Sequence, residues 1–560
     1  MKWNYSKLSP GFDYQGIRDG DIEEFDKTRY QSVIRESIQN SLDARLDFTQ
    51  PVQVKFNFFE LNKVEHQNIA EIETHIKACL DWKRANEDDK ELIRQMLAET
   101  QGSTYSCLEI SDYNTKGMKA DTTFDAFARS RNVSDKSSAG SAGSKGMGKA
   151  AFFAISYLRS ILVSSIYYEK QEKLFQGISR IATHIKDGEL YNYKGFYSTD
   201  FKPEDSFDKL PMRFVRKQSG TSIFVIGLWP EENRLHIMKK ELVNNFWLAI
   251  YEGELEVEIN GEVINKNNVY KLVTELYDSV EESGHFNTNP NPRPYMEAYI
   301  GENCTQKIFS EKIEHLGKVK FIISKNNKYQ GRIANFRQSK MLIWKDASKL
   351  YKGYCGVFVC EDQQGNEYLK KLENATHTEW KAYNWKDPMA KKVLDSYKDF
   401  ITKCIQDFVK ESYSGEITID AFNDLLSLMG EKKEGDGKTG SELSDKKKKP
   451  VITKRQQEGE AEYIPKSFHW IRNRAVKTAT GYKYQIKMNS KKSNNRISFM
   501  VFVGNDDNSS RGKVDVKSLS SGSFEENRIT LDLQKGENEI ILELDDYLKH
   551  SIRLKEIEEV

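Results

Sequence analysis

The stretch Arg35-Glu-Ser-Ile-Gln-Asn-Ser-Leu-Asp-Ala44 decides the fold of the first half of the chain. Glu36, Asn40 and Asp43 stand at i, i+4 and i+7, so an α-helix would place them on one face. An amide oxygen and a carboxylate can hold a hard cation such as Mg²⁺, and a second carboxylate can take a proton from water. A merely solvated face is the alternative interpretation. Apolar residues repeat on another face, which suits packing on a sheet: Ile34, Ile38 and Leu42.

The composition indicates a multidomain chain of balanced charge. A length of 560 residues exceeds what one core holds, so about two to four domains are expected. The 85 Lys and Arg against 84 Asp and Glu leave a net charge of +1, so any nucleic-acid surface has to be local. No apolar run is long enough to cross a bilayer, and the first residues lack the apolar core of a signal peptide. With six scattered cysteines and no zinc-site spacing, we expect a cytoplasmic protein with reduced thiols.

Asp112 follows a predicted strand at residues 106–111. A carboxylate at the end of a strand can accept a hydrogen bond from an exocyclic amine. Gly117, next to Met118, removes a side chain where a flat group could lie against the backbone. An ordinary turn after a strand is the alternative. Upstream of all these stretches, residues 1–28 are predicted to form an arm or a loop-rich cap.

A stretch rich in small residues, 134–149, leads into a predicted helix start at Ala150. Free N–H groups at a helix start suit a phosphate, although the spacing is not that of a P-loop and a flexible linker is the alternative. Thr221 opens a buried strand and can offer its hydroxyl to a ligand, or can simply initiate a turn. The candidate phosphate-binding residues are Gly143, Ser144, Lys145, Gly146, Met147, Gly148 and Lys149.

Taken in this order, the four stretches resemble the GHKL ATPase superfamily: gyrase B, the ninety-kilodalton heat-shock chaperones, histidine kinases, MutL and MORC proteins. The resemblance covers about residues 30–260. The usual first glycine box is Asp-x-Gly-x-Gly, whereas here the first glycine is missing and Gly117 stands one residue late. The matches are, in order, Glu36-x-x-x-Asn40-x-x-Asp43-Ala44 to the N-box, 112–118 to the first glycine box, 143–149 to the ATP lid, and Gly220-Thr221 to the threonine box.

The resemblance implies a role for each match. Glu36 would be the general base for the attacking water, Asn40 would coordinate Mg²⁺, and Asp43 would be a supporting carboxylate of the pocket. Asp112 would bind the adenine amine, with Thr221 supporting it through water, Gly117 and Met118 would line the pocket, and the lid would hold the phosphates. Histidine kinases usually lack the upstream Glu, so Glu36 favours the ATP-hydrolysing, dimerising branch.

The second half of the chain mixes strands and helices over residues 266–415, as does the transducer-like domain that follows the ATPase in the dimerising branch. There the resemblance implies a cation that reaches back to the γ-phosphate. The basic loop 331–341 offers Arg337 and Lys340, with Arg332 as a third candidate, and an ordinary surface loop is the alternative.

The predicted fold is α+β. A GHKL (Bergerat) α/β sandwich is expected at 1–265, a transducer-like α/β domain at 266–415, and a helix with a charged flexible linker at 416–465. Period-2 strands at 466–560 predict a β-sandwich interaction domain with a basic face. In the linker, the run Lys446–Lys449 either is solvated or touches nucleic acid.

The first functional hypothesis is a Mg²⁺-dependent ATPase that acts as an ATP-gated dimeric clamp. The architecture is similar to that of ATPases in bacterial genome maintenance and phage defence. That similarity implies a homodimer, a partner protein that carries the nuclease, DNA as a further ligand, and no membrane. The second hypothesis is a chaperone-like ATPase with protein clients, which DNA would not stimulate. The third is a non-hydrolysing nucleotide sensor or scaffold.

Overall fold

The computed structural model describes all residues except 10, 12, 83, 130–147, 281–290, 347–352, 375–378, 413–467, 479–480, 494, 505–511, 514–515, 545–550 and 558–560. Its helices are α1 (Gly20–Glu23), α2 (Arg29–Asp43), α3 (Gln67–Ala70), α4 (Ile72–Leu80), α5 (Glu87–Ala98), α6 (Asp125–Ala128), α7 (Ala150–Ala154), α8 (Arg234–Tyr251), α9 (Val269–Leu276), α10 (Arg293–Ile300), α11 (Gln363–Leu372) and α12 (Met389–Ser412).

Its strands in the first half are β1 (Lys2–Lys7), β2 (Val52–Asn62), β3 (Thr104–Tyr113), β4 (Ser156–Tyr167), β5 (Glu172–Arg180), β6 (His184–Lys186), β7 (Glu189–Ser198), β8 (Gly220–Leu228), β9 (Leu255–Ile259) and β10 (Glu262–Ile264). The second half contains β11 (Thr305–Ile313), β12 (Gly317–Lys325), β13 (Arg332–Phe336), β14 (Leu342–Asp346), β15 (Tyr354–Cys360), β16 (Phe468–Thr478), β17 (Gly481–Ser490), β18 (Asn495–Gly504), β19 (Gly512–Lys513), β20 (Val516–Leu519), β21 (Ser523–Glu525), β22 (Arg528–Leu533), β23 (Gly536–Leu544) and β24 (Ser551–Ile557).

The first sheet has the strand order β1-β7-β5-β4-β8-β3-β2-β9-β10. Alternate residues of its central strands enter two different apolar cores. Ile161 of β4 and Val225 of β8 pack on the side of α2, α7 and α8, whereas Leu162 and Phe224 pack on the side of α3 to α5. Because both faces of the sheet are covered, β4 and β8 are buried along nearly their whole length.

Helix α2 carries the stretch that opened the sequence analysis. Its predicted apolar face is confirmed, since Ile34 and Ile38 are fully buried. Ser37 and Ser41 are also buried, and each hydroxyl donates to the carbonyl four residues earlier, at 2.6 and 2.8 Å, which satisfies a polar group inside the helix packing. Asn40 and Asp43 are exposed and Glu36 is half-buried, so this polar face stays accessible.

The expectation of an arm or a loop-rich cap at residues 1–28 is wrong for residues 2–7. Residues 2–7 form β1, an edge strand that pairs antiparallel with β7. Its burial alternates because Trp3 and Tyr5 point into the second core. This period-2 pattern was too short to be recognised among the surrounding polar residues.

A buried histidine pair lies under β1. His184 Nδ1 donates to the carbonyl of Ala182 at 2.9 Å, which leaves His184 Nε2 to accept from His75 Nδ1 at 2.9 Å. The Tyr5 ring stacks on His75 with 4.3 Å between ring centroids. Burial, helped by the nearby Lys186 charge, lowers the pKa of His75 to about 3, and burial lowers that of His184 to about 4. Both rings are therefore neutral at pH 7.

The second sheet has the order β11-β12-β15-β13-β14, in which β13 and β15 run parallel. The predicted loop 331–341 therefore contains a strand, β13. Residues 1–282 and 290–430 form one compact unit, and one apolar cluster runs from Ile22 to Val359 across both sheets. The rings of Trp247 on α8 and Phe336 on β13 meet edge to face at 5.5 Å between centroids. The core is thus continuous across the predicted boundary at 265/266.

The strands from β16 onward belong to the other compact unit. They form one sheet ordered β16-β17-β23-β20 and another ordered β19-β18-β22-β21, with β24 beside β18, and both sheets contribute to one apolar cluster. The predicted basic face is partly neutralised, because Lys483 pairs with Glu543 and Lys487 lies 3.2 Å from Glu539. The linker run Lys446–Lys449 lies outside the described residues. No helix in the described part of the chain is long and apolar enough to cross a membrane.

Candidate functional site

Glu36 lies directly against Gly148, at the start of α7. A Cβ atom on Gly148 would stand 2.5 Å from Cδ and 3.1 Å from Oε1 of Glu36, far closer than the usual 3.5–4.0 Å between carbon atoms. Only glycine therefore leaves room for the carboxylate in this position. The structure brings together the predicted base and the last glycine of the predicted lid.

Asp112 is held at a fixed position by three neighbouring groups. Its Oδ1 accepts from the Thr221 amide at 2.7 Å and from the Thr115 hydroxyl at 2.6 Å. Its Oδ2 lies 3.2 Å from the Ser41 hydroxyl oxygen of α2. The side chain remains 16% exposed. A carboxylate has about four lone-pair positions, so this one keeps acceptor capacity toward the solvent side.

Arg216 lies behind this carboxylate. Its guanidinium donates to the Asp112 carbonyl and to the Ser222 hydroxyl at 2.8 Å, and Nη2 lies 3.9 Å from Oδ1 of Asp112. Burial lowers the pKa of Arg216, and the Asp112 charge opposes that change. The guanidinium therefore lies against Asp112 from the interior.

Ser165 of β4 links the other predicted binding residues. Its hydroxyl donates to the Gly220 carbonyl at 2.8 Å, lies 3.0 Å from the Thr221 hydroxyl, and accepts from the Met118 amide at 2.8 Å. Ser165 and Thr221 are both buried. The first glycine box and the threonine box are thus joined through a residue that neither motif contains.

Gly117 has a φ of +71°, which disfavours a side chain. A Cβ atom there would also stand 2.8 Å from the Ile166 carbonyl carbon and 3.2 Å from the Gly220 oxygen. The backbone at Gly117 therefore packs directly on β4 and β8. The displaced glycine of the first glycine box still serves a close backbone approach.

Lys149 lies in an electropositive, half-buried place. Its Nζ donates to the Ala126 carbonyl at 2.9 Å. Burial and the Arg180 charge lower its pKa to about 8, although Asp21 favours the charged form. An added anion would favour the protonated lysine, which suits the predicted phosphate contact.

The polar face of α2 connects these groups. Glu36 and Ser41 are five residues apart, about 7.5 Å along the helix axis. Gly148 therefore contacts α2 at Glu36, and Asp112 contacts the same helix at Ser41. Asn40, which is exposed, lies between Glu36 and Ser41 in the sequence. The predicted residues Gly143, Ser144, Lys145, Gly146 and Met147 lie outside the described residues.

The residues present fit a Mg²⁺–nucleotide. In the described ranges, no group of three or more His, Cys, Asp or Glu side chains that could hold a metal is found. Mg²⁺ usually keeps several waters and binds through few protein oxygens together with substrate phosphates. The exposed amide of Asn40 can supply one such protein oxygen.

Asp43 and Arg337 meet at the seam between the two sheets. Asp43 lies 3.7 Å from Arg337 Nη1 and 3.0 Å from Lys370 Nζ. Arg337 donates from Nε to Glu373 at 2.7 Å, and both of these side chains are 1% exposed. Burial opposes the charge on Arg337, but Glu373 and Asp43 raise its pKa. The two acids thus engage Arg337 through its Nη1 and Nε atoms.

Lys340 lies farther along the same seam. It pairs with Glu252 and, at 2.6 Å, with Glu254. Arg332 begins β13. The γ-phosphate contact expected from one of these cations remains a prediction.

Four residues of the site were missed by the sequence reasoning: Ser41, Thr115, Ser165 and Arg216. The adjacent pair Ser164-Ser165 places two hydroxyls within the buried strand β4, and this pair was a usable signal. Nothing in the local sequence distinguishes Arg216 from other basic residues that precede a turn.

Comparisons with known proteins give limited guidance. No protein-family model matches the chain, and no curated protein matches it significantly. Among solved structures, it is similar to the 43K ATPase domain of Thermus thermophilus gyrase B in complex with an aminocoumarin, at 9% identity and a TM-score of 0.26 over 60% of this chain and 80% of that one. It is also similar to the B-subunit of the DNA gyrase from Myxococcus xanthus, at 8% identity and a TM-score of 0.29 over 61% and 85% of the two chains. Similarity at this level does not support a functional assignment. The assignment therefore has to rest on the geometry of the site.

Proposed function

We propose that the chain is an ATP-binding and ATP-hydrolysing enzyme of the GHKL type. One observation carries the proposal: Asp112 of β3, bonded to the Thr221 amide, contacts α2 at Ser41, and Glu36 of the same helix lies against Gly148. We infer that these predicted motifs contribute to one site. No family match contributes to this conclusion.

The Asp112 carboxylate is the proposed recognition element for adenine. Adenine carries an amino group that donates a hydrogen bond, whereas guanine presents an acceptor oxygen at the corresponding position. A carboxylate only accepts, so Asp112 selects adenine and disfavours guanine. Its contacts with Thr221, Thr115 and Ser41 fix its orientation before the ligand arrives, which limits the entropic cost of binding.

Glu36 is the proposed general base. Its carboxylate would accept a proton from the water that attacks the terminal phosphate, a contribution of about 10²–10⁴-fold to such reactions. Asn40 would hold Mg²⁺, and the ion when bound would neutralise phosphate charge. Lys149 would bind the phosphates as a cation.

A single substitution tests the assignment. Glu36→Gln should retain ATP binding but lower turnover at least about a hundredfold, because the amide cannot accept the proton. Glu65→Gln, an exposed change outside the site, is the matched control. ATP binding is followed by calorimetry and hydrolysis by phosphate release. Unchanged hydrolysis in Glu36→Gln would contradict the assignment.

The proposal extends to the oligomeric state, the partners and the biological role. We propose that ATP promotes a homodimer, which light scattering would detect as a doubled mass with a non-hydrolysable analogue. A nuclease partner, DNA as a ligand and a role in bacterial genome maintenance or phage defence rest on the resemblance alone. Stimulation of hydrolysis by DNA would favour them over a chaperone-like ATPase.

A further inference from the structure

The seam between the two sheets is complementary in charge. The acids come from the ends of elements in the first sheet's half, and the bases come from the second sheet's half. Each acid pairs with at least one of these bases at 3.7 Å or less. The acids are Asp43, Glu252 and Glu254, and the bases are Arg337, Lys340 and Lys370.

Asp43 differs from the other two acids because it belongs to α2. It is the last residue of that helix, and it lies seven residues, about 10 Å, beyond Glu36. A carboxylate at a helix C-terminus is unfavourable, since this end of the helix carries partial negative charge. Arg337 and Lys370 offset that repulsion and tie the end of the helix to the second sheet.

The cations are themselves anchored. Arg337 follows β13 directly, and the adjacent Phe336 packs on Trp247 in the shared core. Arg337 and Glu373 are each 1% exposed and hydrogen-bonded at 2.7 Å. Removing Arg337 toward a ligand would leave a buried carboxylate without its partner cation, which is strongly unfavourable. A fixed anchor explains this burial better than a mobile phosphate ligand does.

We propose that Arg337 and Lys370 are positioning residues of the ATPase site, which hold α2 through Asp43 and thereby place Glu36 and Asn40. The inference rests on the proposed function. It assigns Arg337 a structural contact with the helix in place of a direct contact with the γ-phosphate. The second sheet then controls catalysis through the far end of the helix that carries the base.

Lys370 offers the sharpest test, because its side chain is 11% exposed and, within the described part of the chain, forms its ion pair with Asp43. We would compare Lys370→Met, Lys370→Arg, Asp43→Asn and the double variant Asp43→Asn/Lys370→Met. Lys371→Met is the matched control, since the neighbouring Lys371 contacts the rings of Tyr368 and Trp385 instead. Hydrogen exchange of the α2 amides and separate kcat and KM values are the readouts.

The proposal predicts faster exchange of α2 and about a tenfold lower kcat in Lys370→Met and Asp43→Asn, with KM for ATP within about twofold. Lys370→Arg should restore both, and the double variant should match Asp43→Asn, because the two residues act through each other. Unchanged α2 exchange, a raised KM alone, or losses that multiply in the double variant would overturn it.

Failure of the proposed function is distinguishable from failure of this inference. If the wild-type chain hydrolyses no ATP, or if Glu36→Gln hydrolyses it normally, the ATPase assignment fails. The exchange measurement needs no turnover, so it still decides whether Asp43 and Lys370 hold α2.

Discussion

Replacing Gly148 by alanine should separate catalysis from stability. The new Cβ would stand 2.5 Å from the carboxyl carbon of Glu36, so that carbon has to retreat by about 1 Å to reach an ordinary contact distance. Misplacing a catalytic group by about 1 Å can cost about a hundredfold in rate. We therefore expect kcat to fall by roughly that factor.

The fold should tolerate the same change. The displaced group is the Glu36 carboxylate, which is the end of a flexible side chain. Alanine also restricts the unfolded chain slightly more than glycine does. The free energy of unfolding should therefore change by less than about 1 kcal/mol. Gly20→Ala is the control, because a Cβ there meets no atom within 4 Å. Steady-state hydrolysis, ATP binding and urea unfolding are measured on both variants.

Two results would refute this reasoning. Wild-type turnover in Gly148→Ala would mean that the Glu36 carboxylate need not occupy the position beside Gly148. Loss of folding in parallel with loss of activity would mean that the contact is structural. Activity lost with ATP binding and stability retained is the expected outcome.

Further outcomes follow from the site and from the histidine pair. One good hydrogen-bonded contact to the base should give the wild-type chain a preference for ATP over GTP of about 5- to 150-fold. In Asp112→Asn, competition binding should show a ratio close to one. Because Lys149 has a pKa of about 8 in the free chain, ATP affinity should fall above pH 8 by up to about tenfold per pH unit, and Lys149→Arg should remove this dependence in calorimetry. His75 and His184 titrate near 3 and 4 when folded and near 6.5 when unfolded, so the unfolded state binds more protons below pH 6.5. Stability should therefore fall by about 2 kcal/mol per histidine from pH 7 to pH 5, and a flat urea midpoint over that range would contradict the buried neutral pair.

Individual helices, strands and turns of this fold were predictable, because residues close together in the sequence determine them. The spacing of Ile34 and Ile38 predicts the buried face of α2 correctly. Apolar runs predict β4 and β8, and the turn Asn260-Gly261 predicts the β9–β10 hairpin, where both residues have positive φ. In each case the neighbours in sequence decide the conformation.

The partners of the charged residues were not predictable. Asp43 pairs with Lys370, 327 residues away in sequence, and nothing near Asp43 in the sequence indicates that partner. Ion-pair partners depend on which elements meet in space, and one sequence carries no record of that. Ser165 joins the two motifs for the same reason, since strand order brings β4 beside β8.

The continuous apolar cluster from Ile22 to Val359 has a consequence for synthesis on the ribosome. Helix α2 packs in a cluster that also needs Val357 of β15, so this core cannot close when residue 265 emerges. At about 5–20 residues per second, a nascent chain waits roughly 5–20 s more before the missing strand exists. During that interval Trp247 stays without its partner Phe336, and stalled chains of increasing length should lose protease sensitivity only after β15 has left the tunnel.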